Sequence, residues 1–225
     1  MLHPNPRLNR QIQGRRPNLK FSESKRGEIM DEDNSLEKII QYLNNNESIV
    51  YPTSTLPALG CKPNKKSLDK LFKIKNRPPE LPVSLGVINL EQVSHLIEFN
   101  RFSIDLLNYF PKGSLTLVLP AKKKMDERLG GDWIAVRPVV DEKAIQLISK
   151  VGPITATSAN ISGKTPSINC RKAALELKLN EDQFIQAQTK GGLPSTLIKV
   201  DRTVTVIREG VISRQEVVEW SKKMT

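Results

Sequence analysis

From Ser35 onward the apolar residues switch repeatedly between a helical and a strand period, and this alternation restricts the fold more than any other feature of the chain. Leu36, Ile39, Ile40 and Leu43 fall at i, i+3, i+4 and i+7 behind a serine, a residue type that caps helices. That spacing predicts an amphipathic helix ending in Asn44-Asn45-Asn46. Ser48-Ile49-Val50-Tyr51 then reads as a strand leading into Pro52. A second helix is expected at about 67–75, with Leu68, Leu71, Phe72 and Ile74 on one side, and a strand over Val83 to Ile88. Helical patterns recur near 90–98, 102–109, 141–150 and 170–178, while 114–119, 133–137, 153–157, 183–187, 196–200 and 203–208 read as strands. The last two strands are joined by a turn too short for a crossover helix, so the sheet cannot be wholly parallel. The expected product is one α/β domain, spanning 31–220, with a twisted, mixed parallel and antiparallel sheet flanked by helices.

Residues 1–30 differ from the rest. They hold Pro4, Pro6 and Pro17 without apolar periodicity, and Arg7, Arg10, Arg15, Arg16 and Lys20 precede any acid. They read as a basic, poorly ordered tail, with a nucleic-acid arm or an Arg-rich organellar presequence as the alternatives. The formal net charge is +11, which favours polyanionic partners or a phosphate-bearing substrate. A double-stranded RNA or tRNA-binding module without catalysis fits that charge, but aromatic residues make up only 5% and do not interleave with the basic ones as base stacking requires. Cys61 and Cys170 stand far apart and in no metal-ligand spacing, which suits a reducing, cytoplasmic setting. No run approaches the roughly 18 apolar residues of a membrane span, so no membrane partner is expected. His3 and His95 are the two histidines, too few for His-based metal or Ser-His-Asp chemistry, and neither GxxxxGK[ST] nor GxGxxG occurs.

Five polar stretches sit at strand or helix ends, where α/β proteins build ligand sites. Tyr51-Pro52-Thr53-Ser54-Thr55 offers three successive hydroxyls, either for a zwitterion or phosphate or for a turn. Lys73-Ile74-Lys75-Asn76-Arg77-Pro78-Pro79 closes the second helix, and Lys75 with Arg77 reads either as a solvated cap or as a point charge beside a planar fork, suited to a polyphosphate. Arg137 ends an otherwise apolar strand and needs an anionic ligand or a structural carboxylate. Thr155 to Gly163 runs from a strand into a hydroxyl- and amide-rich turn. Gly191-Gly192 reads either as close backbone approach to a ligand or as a turn, and Arg208, in Ile207-Arg208-Glu209-Gly210, either as a ligand contact or as the partner of an acid.

In this order the stretches resemble the YrdC-type family of threonylcarbamoyl-AMP synthases, in its short, single-domain form. The resemblance covers about 35–215 and rests on YPTSTLPALGC at 51–61, KIKNRPPELPVSL at 73–85, SLTLVLP at 114–120, IAVRP at 134–138, TSANISGKTPS at 157–167, LPSTLIKVD at 193–201 and VIREGVI at 206–212. It implies a YrdC-like sheet around a basic cavity. It also implies an ATP-handling, catalytic set of Lys75, Arg77, Ser158 and Asn160, with Arg208 as a further nucleotide contact. Thr55 and Arg137 would hold threonine, with Thr53, Thr157, Ser195 and Thr116 lining the same cavity. ATP with Mg2+, bicarbonate and L-threonine are the implied substrates, with magnesium held by ATP and water because few acids lie in these motifs. The acceptor of the product would be tRNA-modification machinery. Ser54, Leu56-Pro57 and Asn76 depart from the family's common pattern, which keeps open a related enzyme that uses another acceptor than threonine.

Overall fold

In the computed structural model, which describes residues 35–224, helices start at residues able to cap them. After α1 (35–44), the side chains of Asn64, Asn100, Asp141 and Asn169 each accept from a backbone N–H of the first turn, opening α2 (Lys65–Lys75), α3 (Arg101–Tyr109), α4 (Glu142–Val151) and α5 (Cys170–Glu176). The last helix, α6, spans Arg214–Met224 and was not foreseen from the sequence.

The strands are β1 (Ile49–Tyr51), β2 (Ala58–Gly60), β3 (Ser84–Val87), β4 (Leu115–Pro120), β5 (Trp133–Pro138), β6 (Ile154–Ser158), β7 (Thr196–Val200) and β8 (Val204–Arg208). Among the described residues they form one sheet in the order β1-β2-β6-β3-β5-β4-β7-β8. The pairs β3–β5 and β4–β7 are parallel and the other neighbours antiparallel, so the sheet is mixed, as the short β7–β8 turn requires. The described residues therefore form a single α/β domain with helices against a mixed sheet.

Alternation along the strands decides where a cavity can form. Leu85, Leu117, Val136 and Ile198 project into one core, together with Leu68 and Leu71 of α2, Leu106 of α3, Ala173 of α5 and Trp220 of α6. The opposite face is covered at the β1 edge, where Ile49, Tyr51 and Ala58 meet Ile39 and Leu43 of α1 and Leu147 and Ile148 of α4. Further along that face Ser84, Thr116, Ala135, Arg137 and Leu197 line a cavity.

Two expected elements are replaced. The helix over 90–98 is a single 3-10 turn, Glu91–Val93. Glu98 N–H donates to Pro120 O (2.8 Å) and Lys122 N–H donates to Leu96 O (2.8 Å), so the end of β4 captures backbone groups that a helix would have used. The strand over 183–187 is one bridge beside β1, where Val50 N–H donates to Gln183 O (2.9 Å) and Ile185 N–H donates to Val50 O (2.9 Å). The reading of 1–30 as a tail concerns residues outside those described. Among the described residues no helix is long and apolar enough to cross a membrane.

Candidate active site

The end of α2 sends Lys75 and Arg77 in different directions. Asn76 between them adopts a left-handed conformation (φ 48°, ψ 49°), a backbone state that asparagine tolerates better than most side chains, and its N–H closes the helix on Lys73 O and Phe72 O. Lys75 is 1% exposed, and its Nζ donates to Asn160 O (2.7 Å) and to Ser158 O. Burial, and then the neighbouring Arg77, pull this amine down from its ordinary 10.5 to about 7. Arg77 instead lines the cavity, its Nε donating to Leu81 O (2.7 Å) and its Nη2 to Pro82 O (3.0 Å). Burial first, then Arg208, lower its pKa as well.

At the end of β6, Ser158 Oγ donates to Asn160 Oδ1 (2.6 Å), and Asn160 Nδ2 donates to Ile161 O (3.0 Å) and Lys164 O. The asparagine side chain thus shapes its own turn, while Ser158 lines the cavity with Thr157.

Arg137 is 8% exposed at the end of β5. Its Nη2 donates to Thr55 Oγ1 (2.9 Å), to Ser54 Oγ (3.3 Å) and to Gly113 O (3.4 Å). No described carboxylate reaches it, which removes the structural-carboxylate explanation for this charge among the described residues. Burial lowers its pKa, with Arg208 adding to the effect and Tyr51 opposing it. Tyr51 lies fully buried, donating to Thr155 O (3.0 Å). Its hydroxyl fits only because Gly86 has no Cβ, which would stand 2.7 Å from that oxygen.

Two hydroxyls close the far wall. Thr116 Oγ1 and Ser195 Oγ are 2.7 Å apart, and Arg208 Nη2 donates to Ser195 O (2.9 Å). Thr53 does not line the cavity; its Oγ1 donates to Leu56 O (2.6 Å) and accepts from Thr55 N–H (3.3 Å), folding the turn that presents Thr55. Gly192, with φ 86°, completes the rim at a backbone angle that side chains avoid.

The resulting cavity, about 380 Å³, carries Arg77, Arg137 and Arg208 and no acidic side chain. Of the residues expected there, Lys75, Asn160 and Thr53 stand behind the wall. A fully buried amine and a turn-forming amide satisfy their donors on backbone carbonyls, so neither is free to project. Sequence reasoning missed Ser84, whose Oγ donates to Ala156 O (2.6 Å) on the cavity side, and named Ser54 as a turn hydroxyl without foreseeing that it braces Arg137. The alternation of β3 was the available signal for Ser84. A second cavity of about 430 Å³, lined by Ile104, Leu107, Phe110, Val139 and Ile145 among others, has no arginine, so charge and not volume selects the site.

Fold and cavity together define an α/β protein with a pocket lined by three arginines. The chain belongs to the Sua5/YciO/YrdC family, whose model, described as telomere recombination, matches residues 41–210. It is 33% identical over 186 residues to a threonylcarbamoyl-AMP synthase of Actinobacillus pleuropneumoniae serotype 3 (strain JL03), covering 79% of this chain and 100% of that one. A threonylcarbamoyl-AMP synthase of Photobacterium profundum is 31% identical over 185 residues, covering 78% of this chain and 99% of that one. Among solved structures, P. abyssi Sua5 complexed with L-threonine superposes with a TM-score of 0.73 at 26% identity, covering 84% of this chain. The chain spans 57% of that longer protein.

Proposed function

We propose that the protein uses ATP to join L-threonine and bicarbonate to AMP, forming L-threonylcarbamoyladenylate and releasing pyrophosphate. The observation that carries this reading is Arg137, a buried guanidinium held among the described residues by hydroxyls and a carbonyl, in a cavity whose described lining has no acid. A buried charge of this kind is stabilised by an anion that matches its planar fork, and a carboxylate does so. The relatives named threonylcarbamoyl-AMP synthase, and the threonine complex of P. abyssi Sua5, support threonine as the amino acid that would bring that carboxylate.

In this reading threonine lies against the Arg137–Thr55 pair on its cavity side, with Thr53 shaping the turn and Thr157 and Ser195 alongside. The triphosphate lies toward Arg77, Arg208 and Ser158, with Lys75 and Asn160 behind, and Thr116 stands between the two ends. The amine attacks the bicarbonate-derived carbon, giving a carbamate and water. A carbamate oxygen then forms a bond to the α-phosphorus as the bond to the β-phosphate oxygen breaks. Such transfers need alignment and charge neutralisation more than a protein nucleophile, and the cavity offers cations and hydroxyls for both. Among the described residues no group of three or more His, Cys, Asp or Glu is placed to hold a metal, and the cavity lining has no carboxylate. Magnesium, which neutralises phosphate charge when bound, therefore fits as part of the nucleotide complex. The threonylcarbamoyl group would pass to tRNA-modification machinery.

The test is pyrophosphate release from the purified protein, with each amino acid in turn and with bicarbonate withheld. Joint dependence on L-threonine and bicarbonate is expected. Release indifferent to both would sink the function, and preference for another amino acid would trace to the pocket around Ser54, Leu56 and Pro57.

A further inference from the structure

Ser158 O and Asn160 O converge on one point behind the cavity wall, and two carbonyl dipoles aimed together repel unless a donor stands between them. Lys75 Nζ occupies that point. The main chain of the same residue holds the far end of the loop, since Ser162 N–H donates to Lys75 O (2.8 Å). One residue therefore grips the 158–162 loop at three places, while Ala159 N–H, donating to Pro57 O (2.8 Å), ties the loop to the turn after Thr55.

We infer that Lys75 is a positioning residue: it fastens the 158–162 loop from behind, setting Ser158 and the Asn160 turn, and does not itself touch the triphosphate. Its side chain is 1% exposed, is absent from the cavity lining and has two of its donors committed. The cation two residues later, Arg77, is the one that reaches the cavity. The consequence for catalysis rests on the proposed function; the loop contact does not.

Hydrogen exchange on the substrate-free protein tests the contact. In Lys75→Met, amides across 157–163 should exchange about 10- to 150-fold faster than in the unaltered protein, the range expected when a charge-assisted hydrogen bond is lost. Amides of β4 should be unchanged. Unchanged exchange at 157–163, or a uniform rise throughout, would overturn the inference. Lys75→Gln, which keeps a donor on a shorter side chain, should raise exchange at 157–163 by less than the methionine variant but above the unaltered protein, and serves if the methionine variant does not fold; no rise at 157–163 in it would then overturn the inference. Turnover supplies the second readout through Lys75→Met, Ser158→Ala and the double variant. If Lys75 acts through the loop, the double variant should fall within about threefold of Lys75→Met alone, because coupled residues are not additive. A loss equal to the product of the single effects would make Lys75 an independent phosphate contact. Absence of turnover in the unaltered protein would defeat the proposed function and leave the exchange result standing.

Discussion

Arg128 and Arg137 sit in one chain under opposite electrostatic conditions. Arg128 donates through Nε and Nη2 to Asp126 (2.9 and 2.6 Å) and through Nη1 to Asp69, with its guanidinium 5.7 Å from the centre of the Phe72 ring. Its hydrogen bond to Asp126 is the main reason its pKa rises. Arg137 has two hydroxyls and a carbonyl, and burial lowers its pKa. A guanidinium with its acids in place ties α2 to the turn before β5 and has no electrostatic need left over. One without acids, beside two more arginines, retains a need that an incoming anion can meet. The difference separates a clamp from a binding site.

The largest break in that contrast should come at Arg77, which faces the cavity with burial unrelieved by any described acid. Arg77→Ala should lower threonine- and bicarbonate-dependent pyrophosphate release by about 10²–10³, the usual cost of removing one donor from a preorganised site. Arg77→Lys should recover only part of it, because an ammonium lacks the planar fork. Near-normal turnover in Arg77→Ala would remove this residue from the nucleotide end. Next in size is Arg137→Ala, for which steady-state kinetics should give a threonine requirement raised roughly 10- to 150-fold with the ATP requirement little changed. Equal shifts in both requirements would reassign Arg137 to holding the cavity wall.

How much of this was legible in the sequence depends on whether local pattern or distant pairing decided the outcome. Periodicity located α1 to α5 and most strands, because an amphipathic stripe or a buried run is written in consecutive residues. It failed at 90–98, where β4 captured the backbone, and at β2, whose three residues are a strand only by virtue of β1 and β6 on either side. In the site, the order of motifs brought the hydroxyls and arginines into view, but not the side of the wall each would take. Lys75 and Arg77 are two residues apart, and the left-handed Asn76 between them sends one behind the loop and the other into the cavity. Ser54 was in view as a turn hydroxyl but its bracing role was not, because its partners, Gly113 and Arg137, are 59 and 83 residues away.

The smallest effect is expected at the clamp, and it is the control on the comparison. Arg128→Ala should leave both substrate requirements unchanged, since Arg128 does not line the cavity. Asp69 is too exposed to count, with a side-chain accessibility of 51%, and Asp126 is 29% exposed, so solvent screening reduces what the Arg128–Asp126 pair contributes to about 1 kcal/mol. For a domain of this size that is a fall of about 2–4 °C in thermal midpoint. The sign of its pH dependence follows from Asp126, whose carboxyl is held down from 3.8 to about 2, first by the side-chain hydrogen bond from Arg128. A carboxyl depressed in the folded state contributes stability that is fully present above its ordinary value and is lost as pH falls toward the depressed one. Urea midpoints of Arg128→Ala and the unaltered protein should therefore differ by a constant amount from about pH 7 down to about 5 and converge as pH falls below about 4. A gap that persists unchanged at the lowest pH at which both proteins fold would mean that Arg128 acts through its packing on Phe72, and that a saturated ion pair is not what distinguishes it from Arg137.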